Sequence, residues 1–159
     1  NTVQSMLFWL MGDLSQSTVS FGHFILIALG LVAGIWIAKS LNVLSRGDLV
    51  AVSLGVNVNL LRIFLYFSAS IFTAVAVTIG GSVGFVGLVT PHILRMLGAR
   101  DHRVLIPASV MLGGSIVLIA DTLARTILAP QQLPVGIFTA IIGVPCFLFI
   151  MNSSGKKFS

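Results

Sequence analysis

Few side chains in this sequence could do chemistry, and their spacing excludes most of it. There are four carboxylates, all aspartate (Asp13, Asp48, Asp101, Asp121), three histidines (His23, His92, His102) and one cysteine, Cys146. A metal centre needs ligands at short spacing or in a cluster. His92 and His102 are ten residues apart, and Cys146 stands alone in an apolar run. Neither a zinc site nor a disulfide framework can be built from such residues. Nucleophilic catalysis needs a nucleophile beside a base, and no such pair is present. No GxxxxGK[ST] occurs, so ATP phosphates have no cradle in this chain. The glycine run GGSVGFVG is no substitute, because no lysine accompanies it. The expectation is no catalytic residue, no metal ligand and no cofactor bound by the chain itself.

What remains is charge, and there is little of it. Hydrophobic residues make up 57% and charged residues 8%, with a mean hydropathy of +1.08. A soluble domain carries about 25% charged residues. The chain is therefore read as an all-α integral membrane protein. Its apolar runs are of helix length, which argues against an outer-membrane barrel. No nucleic-acid motif or basic tail is present.

The most informative stretch is Gly80 to Arg103, GGSVGFVGLVTPHILRMLGARDHR. No formal charge occurs from Ile63 to Leu94, 32 residues. A straight helix of that length would reach about 48 Å, against a hydrocarbon core of about 30 Å. The run must break, and Gly80-Gly81 is where it should. A short helical piece over 82–97 then ends in a basic turn. Gly80, Gly81, Gly84 and Gly87 are expected to let the chain reverse and the short helix pack closely, or else to line a pathway. Pro91, His92 and Arg95 would set that helix's cytoplasmic end, in a structural or gating role.

The rest of the chain supplies the other spans, at about 22–38, 60–80, 103–127 and 135–151, with 83–97 as the short crossing. Residues 1–21 read as the end of a preceding span plus a loop, or as a surface-lying helix. His23 reads as a boundary residue. Residues 40–59 are too patterned for a simple loop: Gly47 and Gly55 bracket a short amphipathic piece, and two short helices are expected. That unit could lie on lipid or could dock a cytoplasmic partner. Gly113-Gly114 permits close helix approach. Asp121 and Arg125 stand at i and i+4, where side chains on a helix meet.

Positive charge orients the spans. With five crossings, Lys39, Arg46, Arg62, Arg95, Arg100, Arg103, Lys156 and Lys157 fall on one side, and only Arg125 on the other. That bias assigns the first side, and the C-terminus, to the cytoplasm. The N-terminus is then outside, and the chain is expected to be the C-terminal part of a longer protein.

GSVGFVGLVTPHILRMLGARDHR closely resembles the signature of the FecCD-type permeases, the membrane subunits of ABC importers for iron–siderophores, haem and vitamin B12. Gly47-Asp48, Ala51 and Leu54-Gly55 are similar to that family's coupling-helix motif. Leu133-Pro134-Val135-Gly136 with Thr139, and Gly143-Val144-Pro145, are similar to its last span. The match covers about residues 6 to 151.

The resemblance implies that residues 1–159 form the C-terminal half of an importer transmembrane domain in the bacterial inner membrane. A second permease copy, or a homologous permease, would complete the pathway, and lipid would surround it. A separate ABC ATPase subunit would hydrolyse ATP, and a substrate-binding protein would deliver cargo. Gly47, Asp48, Ala51, Leu54 and Gly55 would couple to the ATPase. Arg125 would contact an acidic residue of the docked binding protein, unless it serves only as the partner of Asp121. The alternative is an ion-coupled secondary transporter, for which Asp121 is the one candidate coupling carboxylate.

Overall fold

The computed structural model describes residues 20–126 and 135–155, and within them it is helical without a strand. Six helices follow in order: α1 (Phe21–Leu44), α2 (Asp48–Ser53), α3 (Val58–Gly80), α4 (Val86–Met96), α5 (His102–Thr126) and α6 (Val135–Gly155). Of these, α1, α3 and α5 are long and apolar enough to cross a membrane. The expectations for residues 1–19, for the 129–134 loop and for Lys156-Lys157 lie outside the described residues.

Local chemistry sets the helix ends. Ahead of α1, the Ser20 backbone N–H donates to His23 Nδ1 at 2.9 Å, closing the first turn. His23 is thus a boundary residue. The helix then runs past Lys39 to Leu44, because nothing breaks it before Ser45-Arg46-Gly47. This corrects the expectation of two short helices over 40–59: the described chain has one, α2, and the remainder joins its neighbours. Asn57 caps α3 by accepting the Leu60 N–H at 3.0 Å.

Helix α3 stops at Gly80 because Gly81 takes φ 68°, a left-handed conformation that needs glycine. Residues 81–85 are not helical, so α4 starts at Val86, later than the expected 82–83. Eleven residues of helix cover about 16 Å, too little to cross alone. The five residues before it add little length, because they turn tightly: Val83 N–H donates to Gly81 O at 3.0 Å and Val86 N–H to Gly84 O at 2.8 Å.

Helix α5 is the centre of the fold, packed by α1, α4 and α6, while α3 packs mainly on α1 and α2 and faces α5 across a hollow lined by Phe72, Val75, Ile106 and Val110. Small residues make the close approaches. A Cβ on Gly113 of α5 would sit 3.4 Å from Val86 Cγ1, so α4 nests there, whereas Gly114 faces open space. A Cβ on Gly34 of α1 would meet Ile106 Cγ2 of α5 at 3.2 Å. Ala120 and Ala124 form a buried cluster with Val135 of α6, flanked by Phe138. Without a hydrophobic force between helices in lipid, such small-residue contacts are what hold them together. Only Ala38 of α1 is buried, so most of its apolar surface is left for lipid or further protein.

Candidate coupling and docking sites

Hydrogen bonds gather six of the nine cations at one end of the bundle. Asn42, near the end of α1, donates through Nδ2 to Asp101 Oδ1 at 2.7 Å, just ahead of α5. Arg62 of α3 donates through one Nη to both carboxylate oxygens of Asp48, at 2.7 and 3.0 Å. Lys39, Arg46, Arg95, Arg100 and Arg103 sit within a turn or two of these contacts in sequence. Arg125 lies at the far end of α5, about 35 Å of helix away.

The short helix α2 is the most exposed element at the basic end. Gly47 precedes it at φ 114° and Gly55 follows it at φ 80°. Its end is a Schellman cap: Val56 N–H donates to Ala51 O at 3.0 Å and Gly55 N–H to Val52 O at 3.0 Å. Ala51 is wholly buried, so it seats the helix on the bundle and presents no side chain to a partner. Asp48 is engaged by Arg62. Leu54 is 65% exposed, and two residues outside the sequence motif are as open, Leu49 at 88% and Val52 at 62%. Their i, i+3 spacing, opposite Ala51, was the available signal. Together they form an outward apolar face on a helix held by Ala51 and by the Arg62–Asp48 pair.

The sequence-singled glycines separate into two kinds. Gly80 and Gly81 are buried, and Gly81 carries the positive φ that turns the chain. Gly84 and Gly87 face open space: an added Cβ meets nothing within 4 Å. Gly87, Leu88, Pro91, His92 and Arg95 line a hollow of about 440 Å³ on the outer side of α4. The opposite side, Val89 and Thr90, is buried. Pro91 lacks an N–H and so cannot bond to the carbonyl one turn earlier. Phe85, the residue before α4, is the one non-glycine with positive φ among the described residues, at 64°. It packs directly against Gly143 of α6.

At the other end of α5, Arg125 Nε donates to Asp121 Oδ2 at 2.9 Å. Their side chains are 43% and 21% exposed. The bond uses Nε, and both terminal Nη groups are without a partner among the described residues. Asp121 therefore holds the guanidinium in place and leaves its outer fork unengaged by the described residues.

Asp101 caps α5 by accepting the Arg103 N–H at 2.8 Å. The Asn42 amide, and then that N–H, hold its carboxyl below the usual carboxylate value of 3.8. A depressed folded-state pKa stabilises fully above the unfolded value and is lost as pH falls through the folded one. Asp101→Asn should therefore remove a loss of thermal stability confined to pH below about 3.8. Unfolding temperatures of the detergent-purified protein across the acid range would check it; an unchanged acid limb would refute it.

The sequence matches the model of the FecCD transport family over residues 1–153. It is 40% identical to the hemin transport system permease protein of Yersinia pestis, over 90% of this chain and 43% of that protein. It is 40% identical to the Fe(3+)-citrate import system permease protein of Bacillus subtilis, over 98% of this chain and 47% of that one. The vitamin B12 import system permease protein of Shigella sonnei is 36% identical, over 97% and 48%. The fold is similar to a solved structure described as an inward-facing metal-chelate type ABC transporter. The TM-score is 0.84 at 32% identity, covering 96% of this chain and 50% of that one. The chain spans about half the length of the relatives it matches.

Proposed function

The chain belongs to the FecCD transport family, and from that premise we propose that it forms part of the membrane pathway of an ATP-driven importer for an iron chelate, haem or vitamin B12. The observation that carries the reading is α2: a short helix, seated by Ala51 and pinned by Arg62, that holds Leu49, Val52 and Leu54 outward at the basic end. Charge bias makes that end cytoplasmic. An apolar face there needs a partner, and a separate ATPase subunit fits it. Gly47, Gly55, Asp48 and Ala51 then shape and seat the coupling helix, while Leu49, Val52 and Leu54 contact the ATPase. Displacement of α2 by ATP-driven closure would move the attached spans as rigid elements. On this reading ATP hydrolysis falls to the separate subunit, and an iron chelate would pass as cargo.

Proteoliposomes holding the full-length permease, its ATPase and its binding protein test this directly. Uptake of a ferric siderophore, haem or cobalamin should require ATP and survive a protonophore. Uptake that persists without ATP and collapses with the protonophore would establish the ion-coupled reading instead. Growth of a deletion strain on single iron sources would then identify the cargo.

Arg125 is read as the external docking residue for the binding protein. An exposed Asp–Arg pair contributes only about 0.3–0.5 kcal/mol, a weak reason to place the one external arginine there. A cation oriented by Asp121, with its fork open, is well arranged to meet a carboxylate on a docking protein. Arg125→Glu should weaken capture of the loaded binding protein and lower the salt sensitivity of what binding remains. Basic substitution on the partner's acidic lobe should recover some of the loss. Unchanged affinity and salt dependence would leave Arg125 as the partner of Asp121 alone.

A further inference from the structure

We infer that Asn42 latches the end of α1 to the start of α5, so that movement of the coupling helix α2 is passed to the central helix of the bundle. The inference rests on the reading of α2 as the ATPase-docking element.

One side chain satisfies both sides of the junction. Asn42 Nδ2 donates to Asp101 Oδ1 at 2.7 Å. Asn42 Oδ1 accepts the His102 backbone N–H at 2.9 Å and lies 2.7 Å from His102 Nδ1. The ionised Asp101 only accepts, so the amide must turn its nitrogen toward it and its oxygen toward His102. His102 Nδ1 must then carry the proton. The Asp101 oxygen that receives Asn42 also receives the Arg103 N–H. Asn42 thereby enters the N-terminal cap of α5 from a helix about sixty positions earlier in the chain.

Position makes this junction mechanical as well as structural. Asn42 lies just before the Ser45-Arg46-Gly47 turn that leads into α2. Elsewhere along α1 and α5 the described contact is apolar, as at Gly34 and Ile106. Apolar surfaces can slide past each other, whereas hydrogen bonds lose their strength within a few tenths of an ångström and beyond modest bending. Pulling on α2 therefore pulls the start of α5 through Asn42. Helix α5 is 25 residues, about 37 Å, long. Its far end carries Asp121 and Arg125, so both proposed docking sites act on one continuous helix, whose Pro107 removes a single backbone hydrogen bond near the latched end. Asn42 acts through Asp101 and His102 of its own chain and is therefore a positioning residue.

The test uses the full-length permease with its ATPase and binding protein in proteoliposomes. Its readout is ATP hydrolysed per molecule of substrate taken up. Asn42→Asp sets two carboxylates against each other and should raise that ratio about fivefold or more, the lower range of coupling between sites. Adding Asp101→Asn removes the repulsion and lets the new amide donate to the new carboxylate, which still accepts from His102 N–H. The amide nitrogen, however, then replaces the oxygen that took the Arg103 N–H. The doubly changed protein should regain part of the wild-type ratio, and no recovery at all would count against the latch. Asn42→Leu, which removes the hydrogen bonds without adding charge, should raise the ratio as Asn42→Asp does, with the ATPase still bound. An unchanged ratio in both single variants would overturn the latch. So would hydrolysis and uptake falling in proportion, because lost folding lowers both equally. The docking reading fails separately, if Leu49→Glu keeps the ATPase bound.

Discussion

Replacing Leu49 with glutamate should abolish copurification of the ATPase while the permease itself stays folded. Leu49 is 88% exposed, so the substitution removes almost no packing within the chain. A buried interface anchor typically costs 2 kcal/mol or more when lost, roughly 30-fold in affinity. A charge placed in an apolar contact adds desolvation to that loss. Gly55→Val should have the same outcome by a different route. Gly55 stands at φ 80°, where a β-branched residue is strained by about 1–3 kcal/mol. The Schellman cap would open and α2 would lose the pose set by Ala51. Thermal unfolding of the detergent-purified permease separates the two routes: Leu49→Glu should leave it unchanged, and Gly55→Val should lower it slightly. Retained ATPase binding by Leu49→Glu, with coupled hydrolysis intact, would remove α2 as the docking surface.

Gly143→Ala should lower assembly and stability far more than the same change at Gly84. A Cβ on Gly143 would overlap Phe85 Cβ and stand 2.8 Å from Phe85 Cγ. The Cβ of Phe85 cannot swing aside as a side-chain tip can, because it is fixed to a backbone already at φ 64°. Overpacking of this kind costs about 1–3 kcal/mol. Phe85→Gly removes both the clash and the left-handed strain, so it should restore assembly of Gly143→Ala when the two are combined. A double-mutant cycle on membrane expression and unfolding temperature measures that coupling, expected at about 0.5–3 kcal/mol. Additive losses would mean that Gly143 and Phe85 do not meet. Gly84→Ala is the comparison: its Cβ would face open space among the described residues, so any loss there reports on what covers the 81–85 segment.

The sequence by itself determined the class, the helices and the family. Composition and a charge-free run longer than the bilayer decide membrane class and force a break, because hydrocarbon tolerates neither charge nor unsatisfied backbone. Glycine pairs and polar clusters mark where helices end, so the break after Gly80 was legible and Gly81 supplied it. Two local readings went beyond what propensity can decide. Lys39–Leu44 continued α1, since a lone lysine does not stop a helix that packs elsewhere. Residues 81–85 stayed irregular, since Phe85 takes a conformation that its own type disfavours.

Only the tertiary structure decided which side chains face a partner and which face the chain. Ala51 and Leu49 belong to one short amphipathic motif, yet one is wholly buried and the other 88% exposed. Two residues apart on a helix they point to different sides, and only the neighbour they pack on says which side is inward. Gly84 and Gly143 look equally small in sequence, and only packing against Phe85 distinguishes them. Asn42 had no local signal at all. Its partners, Asp101 and His102, are about sixty positions away, and that separation is closed by α1 crossing α5. Periodicity and spacing encode contacts within a turn or two of helix; the long-range pairs that join moving parts exist only once the helices have packed.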